Sequence, residues 1–192
     1  TWFRSVTLGS EQTIFAAVDS GTAGHYILLE LTADGKVSWT HSGDGGENSQ
    51  VTIESTDTYV AGGSPFYHLA VVFSSGTMTM YIDGSRVAMD DAGAGYIGTT
   101  VEMVIGKLGP SQHERYLIGY LDDFRIWSRA VGWTDIIDNR KMTQSGNEDG
   151  LAGYWKFDER DGEIVVDISI DSSGVDNNND AATCDVERSE NI

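Results

Sequence analysis

The sequence predicts an all-β fold, and three observations carry that reading. Twenty-three glycines and only two prolines punctuate the chain. Between them lie short runs rich in Val, Ile, Tyr, Phe and Thr, the residues that suit a pleated surface. One run alternates strictly: Met78, Met80 and Ile82 share one face, and Thr77, Thr79, Tyr81 and Asp83 share the other.

In chain order, the runs that read as strands are Trp2–Leu8, Thr13–Val18, Tyr26–Leu31, Lys36–Thr40, Gln50–Glu54, Phe66–Phe73, Thr77–Ile82, Val101–Ile105, Leu117–Trp127, Leu151–Phe157 and Glu163–Ile168. Ala33-Asp34-Gly35-Lys36 and Ser74-Ser75-Gly76 have the composition of hairpin turns. Asp83-Gly84 closes the alternating strand in the same way, with Asp capping the backbone and Gly taking a positive φ. Met78 and Met80 read as core filler, because a flexible thioether fills irregular gaps. One short surface helix begins near Gly132, with Asp135 in its first turn, where a negative charge suits the helix dipole.

The run Leu117–Trp127 contains two adjacent carboxylates, Asp122 and Asp123, among strand-forming residues. If Leu121, Phe124 and Ile126 all face the core, their spacing of three then two breaks alternation and predicts a bulge at the acid pair. A carboxylate buried without a partner is costly, so a metal, an Arg or solvent must compensate these two. A structural calcium site and a solvated edge pair both satisfy that requirement.

Composition bounds the function. At 192 residues and 40% hydrophobic content the chain fits one domain that buries roughly 70% of its unfolded surface without disulfide staples. Cys184 is the only cysteine, so it has no intrachain partner. Twelve Lys and Arg stand against 30 Asp and Glu, for a net charge of −18. That charge repels phosphate backbones and anionic membranes and argues against nucleic-acid binding. No apolar stretch approaches the ~18 residues of a membrane span. The start at Thr1, without Met or signal sequence, reads as a piece of a longer protein. The tail after Cys184 offers nothing to bury, which sets a domain at 1–184 and a polar tail at 185–192.

An ordered set of motifs then resembles a known family. It runs through Tyr67-His68-Leu69-Ala70-Val71-Val72, Tyr81-Ile82-Asp83-Gly84, Ile105-Gly106, Gly119 to Trp127 and Arg129-Ala130-Val131. In that order these residues are similar to the laminin-G-like jelly rolls of the concanavalin A-like lectin/glucanase superfamily. Gly153-Tyr154-Trp155-Lys156-Phe157-Asp158-Glu159, followed by Asp171-Ser172-Ser173-Gly174, is similar to a segment that usually opens such a domain. The resemblance implies a two-sheet antiparallel β-sandwich whose concave face binds glycans or protein partners, and structural calcium. It implies Asp122 as the metal ligand; Asp158 and a separate site using Asp167 or Asp171 are further calcium candidates in the acidic segments near the C-terminus.

Other motifs resolve into structural readings. His68 shares a strand face with Ala70 and Val72 and reads as a packed histidine. Glu159-Arg160-Asp161-Gly162-Glu163 superficially matches the acid triplet of related glycosidases, but Arg160 and Gly162 mark a solvated turn rather than a rigid strand. Asp176, Asn178, Asp180 and Glu187 fit the register of a calcium loop, yet Ala181 stands where the sharp turn needs Gly. No G-x-S-x-G nucleophile elbow occurs.

Sugar hydroxyls pair well with planar carboxylates and amides, which nominates Asp44 and Asn48 in a glycine-rich loop and Asp90 and Asp91 after the alternating strand. A pyranose stacks on an exposed ring, which nominates Tyr96 and Tyr116, with Trp39 and Trp133 beside them. The resulting expectation is a non-enzymatic extracellular binding module, part of a larger secreted or surface protein, that contacts a glycan or an extracellular protein and holds structural calcium. A structural spacer or protein-interaction domain is the alternative, and a glycan-cleaving enzyme the third.

Overall fold

The computed structural model describes residues 1–19, 25–42, 50–59, 65–91, 101–108, 115–159, 164–171, 173–177 and 179–182. Among them the chain forms β1 (Trp2–Ser5), β2 (Gln12–Asp19), β3 (Tyr26–Leu31), β4 (Lys36–Ser42), β5 (Gln50–Thr58), β6 (Tyr67–Ser74), β7 (Thr77–Ile82), β8 (Ser85–Asp91), β9 (Val101–Ile105), β10 (Gly119–Asp122) and β11 (Phe124–Trp127). After these come α1 (Trp133–Asn139), β12 (Leu151–Trp155), β13 (Ile164–Val165) and β14 (Ala181–Ala182). The packing divides the chain into two compact units, Phe3–Tyr120 and Thr1–Trp2 with Leu121–Ile192.

The strands of the first unit lie in two five-stranded antiparallel sheets, ordered β5-β4-β3-β2-β9 and β10-β1-β6-β7-β8. This is the predicted all-β sandwich. Alternation decides which residues meet inside it: Leu31, Val37 and Trp39 come from the first sheet, and Leu69, Met78 and Met80 from the second. His41 of β4 stacks on Phe73 of β6 with ring centroids 5.2 Å apart and planes 23° apart, a contact that spans the two sheets. Each large apolar side chain buried this way contributes roughly 1.5–3 kcal/mol.

The hairpin turns follow their sequence signatures. Ser75 and Gly76 join β6 to β7, and Asp83 and Gly84 join β7 to β8, all four with positive φ (49°, 85°, 51° and 83°). The Asp83 carboxylate accepts the His68 amide of β6 at 2.9 Å, a bond outside its own turn. At Gly119 an added Cβ would meet the Arg4 carbonyl oxygen at 2.1 Å, so β10 can approach β1 only as glycine.

Besides the different limits of β1, β5 and β13 and the unforeseen β14, three features depart from the sequence reading. The run Leu117–Trp127 is two strands rather than one bulged strand: β10 belongs to the second sheet, β11 pairs with β12, and Asp123 between them takes a left-handed φ of 51°. The left-handed turn lets one short run serve two ladders, and Asp, with its short polar side chain, tolerates it. Ser85–Asp91 is an unforeseen edge strand, largely exposed, whose sequence lacks alternation because neither face is fully buried. Trp39, nominated as an exposed ring, is 2% exposed and lies in the core.

In the second unit, β11 and β12 form a two-stranded ladder with Phe124 opposite Trp155. Gly153 makes room for the Trp155 indole, since a Cβ there would lie 2.5 Å from its ring. The helix starts one residue after Gly132 as predicted and buries Ile136. None of the described helices is long and apolar enough to cross a membrane.

Candidate functional site

The outer face of the first sheet is unusually polar for a surface with buried positions. Because Val37 and Trp39 point inward from β4, the alternate residues Ser38, Thr40 and Ser42 point outward, yet they are only 9%, 7% and 2% exposed. Cross-strand register sets them between longer side chains. Ser38 lies between Glu30 of β3 and Glu54 of β5, Thr40 between Leu28 and Thr52, and Ser42 between Tyr26 and Gln50. Small hydroxyl residues flanked by longer ones give this face a polar row along β4, bordered by β3 and β5 and here called the trough, whose own residues are almost entirely covered. The hydroxyls of Thr40 and Thr52 are 2.9 Å apart and hydrogen-bonded across the floor.

Charge on this face is organised in pairs. Arg115 reaches Glu11 at 2.6 Å and Glu30 at 3.0 Å, and the Thr13 hydroxyl donates to the same Glu30 oxygen at 3.2 Å. Arg115 is held in place by its backbone: its carbonyl accepts the Thr13 amide at 2.9 Å, and its φ is 65°. Burial pushes the Glu30 carboxyl above its ordinary range, while the guanidinium pulls the other way. Lys36 bonds Glu54 at 2.8 Å and lies 4.0 Å from Asp34, and the bond to Glu54 raises the ammonium above its usual value.

Of the residues nominated from sequence for ligand contact, Tyr116 is half-buried beside Arg115 in the chain. Asp90 and Asp91 lie on β8, the edge strand of the other sheet. Asp91 accepts the Thr77 hydroxyl at 3.0 Å, and Asp90 accepts the Asp91 amide at 2.8 Å. Asp44, Asn48 and Tyr96 lie outside the described residues. The trough residues were missed because their polarity looked like ordinary strand surface, and the one available signal was the run of small hydroxyls alternating with Val37, Trp39 and His41.

The acids nominated as metal ligands belong to the second unit and take different roles. Asp122 is exposed, and its carboxyl is raised by desolvation on its protein side, then by the nearby charges of Asp123 and Asp158. Asp123 pairs with Arg125 at 3.4 Å and accepts the Tyr154 hydroxyl, so of the compensations open to the acid pair it takes an arginine. Arg125 also donates to the carbonyls of Asn139 (3.2 Å) and Met142 (2.8 Å) and lies over the Tyr154 ring at 4.9 Å.

Asp167 is 1% exposed and accepts four hydrogen bonds: Tyr154 N at 2.8 Å, Ser169 N at 2.9 Å, Ser169 Oγ at 3.0 Å and Asn179 Nδ2 at 2.8 Å. Asp171 accepts from Ser173 N, Ser173 Oγ and Val175 N inside a tight turn, and those bonds lower its carboxyl. The charge of Asp158 is thus felt at Asp122, while Asp167 and Asp171 are turned to separate structural tasks. Among the described residues no three His, Cys, Asp or Glu side chains converge in a way that could hold a metal ion.

Comparison with known proteins agrees with this architecture. Residues 1–137 match the laminin-G-type family described as belonging to the concanavalin A-like lectin/glucanases superfamily. Among solved structures, a Bacteroides ovatus protein classed as carbohydrate-binding superposes with a TM-score of 0.65 at 19% identity, over 90% of this chain and 48% of that one. The chain thus spans about half the length of that protein. The CBM40 of the Ruminococcus gnavus IT-sialidase superposes with a TM-score of 0.56 at 14% identity, over 71% of this chain and 78% of that one. The heptameric SAP-like pentraxin of Limulus polyphemus gives 0.55 at 18% identity, over 71% and 65%. No curated protein sequence matches the chain. At these identities the likeness establishes the fold, and the family match establishes membership: the chain belongs to the laminin-G-type family of the concanavalin A-like lectin/glucanases superfamily.

Proposed function

We propose that this chain is a carbohydrate-binding module that holds glycans, without cleaving them, in the trough on the outer face of its first sheet. The observation that carries the reading is the floor of Ser38, Thr40 and Ser42 between walls bearing Glu30, Tyr26, Gln50, Thr52 and Glu54. The Thr52 hydroxyl, the Gln50 amide and the Glu54 carboxylate, all exposed beside that row, can pair with the successive hydroxyl groups of a sugar, and Tyr26 can offer a ring to its apolar face. Two structural neighbours, the Bacteroides ovatus protein and the CBM40 module, carry names that refer to carbohydrate binding.

Binding without cleavage fits the charges. Glycosidases use two carboxylates free to act as acid and as nucleophile or base. On this face Glu11 and Glu30 are held by Arg115 and Glu54 is held by Lys36. The module acts outside the cell, where glycans are displayed. A calcium ion enters the reading at Asp122, whose carboxyl is raised by desolvation and by neighbouring acids including Asp158, and it plays no part in the trough.

A glycan array probed with the chain tests this directly. Binding is expected for the unaltered chain and loss for Thr52→Trp, which places a bulky ring on an exposed wall position without touching the core. Silence on every glycan, or full binding by the blocked variant, overturns the assignment.

A further inference from the structure

From the charge pairing on the trough face we infer that the glycan it takes is neutral, and that Glu11 and Glu30 are the residues that exclude acidic glycans by occupying Arg115. This rests on the trough being the glycan site and adds the ligand class. Sialic acids, uronic acids and sulfated sugars carry a fixed negative charge, and a protein normally receives it on a guanidinium or ammonium with donors to spare.

Phe3–Tyr120 contains five Lys or Arg, namely Arg4, Lys36, Arg86, Lys107 and Arg115, against thirteen Asp or Glu. Lys36 and Arg115 border the trough, and both are paired with carboxylates of the protein. Arg115 is held by Glu11 at 2.6 Å and Glu30 at 3.0 Å, and Lys36 by Glu54 at 2.8 Å with Asp34 at 4.0 Å. Four acids therefore surround two cations, which leaves the face negative. Arg4, on the other sheet, packs its guanidinium 4.3 Å from the Tyr120 ring centroid and 5.1 Å from that of Phe66. An acidic sugar would have to displace a protein carboxylate and would still meet the remaining ones. A neutral sugar meets carboxylates whose unused lone pairs accept from its hydroxyls, with no such penalty.

The two acids on Arg115 are not equivalent. The Glu30 side chain is 13% exposed, and the Thr13 hydroxyl also donates to it, so it is fixed. Glu11 is 49% exposed and closes the guanidinium from the solvent side. Removing both charges while keeping both side-chain shapes uncovers Arg115 at the edge of the trough.

The test is an array that places each neutral oligosaccharide beside its uronic-acid and sulfated counterparts, probed with the unaltered chain and with the double variant Glu11→Gln, Glu30→Gln. The unaltered chain is expected to bind neutral members and to bind their acidic counterparts at least tenfold more weakly. The double variant is expected to narrow that gap at least fivefold by gaining acidic ligands. Equal or better binding of acidic glycans by the unaltered chain overturns this inference and leaves the trough as a glycan site. Binding of no glycan at all overturns both. A measurement on the unaltered chain alone decides the matter should the variant fail to fold: affinity for the neutral ligand is expected to stay within twofold between about 50 mM and 500 mM salt, because no charge pairs across the contact. A tenfold loss over that range means a charge-charge contact and sinks the proposal.

Discussion

The backbone amide of Tyr154 donates a hydrogen bond to Asp167 Oδ1 at 2.8 Å, deep in the second unit. The same oxygen takes the Ser169 amide, and the other takes Ser169 Oγ and Asn179 Nδ2, so one carboxylate joins β12 to the segments around residues 169 and 179. Asp167→Ala would leave two amides without an acceptor where water does not reach. Roughly 1–3 kcal/mol for each buried group so stranded predicts a loss of about 3 kcal/mol, read from the urea unfolding midpoint. A loss below about 1 kcal/mol would mean that the segment reorganises around the missing carboxylate.

Gly119→Ala should also destabilise, by an unrelated mechanism. The new Cβ would overlap the Arg4 carbonyl at 2.1 Å, and backbone cannot swing aside as a side-chain end can. Overpacking of this kind costs roughly 1–3 kcal/mol. Thermal unfolding would register it as a lower Tm, and an unchanged Tm would show that β10 can part from β1 at no cost.

His41 makes the fold sensitive to acid. Burial, and then the neighbouring His25, hold its imidazole below the ordinary value of 6.5, so the unfolded chain takes up the proton more readily than the folded one. Its contribution to stability is complete above about 6.5 and is lost as pH falls from there toward the folded value. Glu30 has the opposite sign: its carboxyl is raised above 4.5, so its contribution is complete below that value and is lost as pH rises through the folded one. The His41→Phe variant keeps a ring against Phe73 and isolates the first effect. The stability difference between the two chains should be flat from pH 8 to about 6.5 and should move in favour of the variant below it, and a flat difference throughout would refute the assignment.

The blocking variant Thr52→Trp gives up the hydroxyl bond to Thr40 and should cost about 1 kcal/mol of stability, while glycan affinity falls at least tenfold. Titration calorimetry on the best array ligand measures the second quantity. Retained affinity would move the site away from the floor of β4.

Calcium has its own assay. An ion held by the folded chain alone raises its Tm, so added calcium should shift the melt upward relative to chelator, and Asp122→Asn should reduce that shift. Equal melts in calcium and chelator would remove the ion from Asp122 and Asp158.

Much of the architecture could be read locally. The strands Tyr26–Leu31, Thr77–Ile82 and Val101–Ile105 have the predicted limits, and so does the start of the helix, because residue-scale periodicity, turn glycines and β-branched content act within a few residues. The edge strand Ser85–Asp91 escaped that reading because its backbone bonds to β7, rather than a buried face of its own, make it a strand. Of the metal, Arg or solvent that could compensate the acid pair, Asp123 takes Arg125, two residues on.

By itself, then, the sequence determined the all-β class, the hairpins, the helix start and a strongly acidic surface, since each depends on neighbours in the chain or on composition. The tertiary structure decided which polar residues share a face. Arg115 and Glu30 are 85 positions apart and meet because β2, β3 and the segment before β10 run side by side. Ser38, Thr40 and Ser42 became a trough floor when β3 and β5 set longer side chains on either side. Face and register are properties of paired strands, and no single strand carries them.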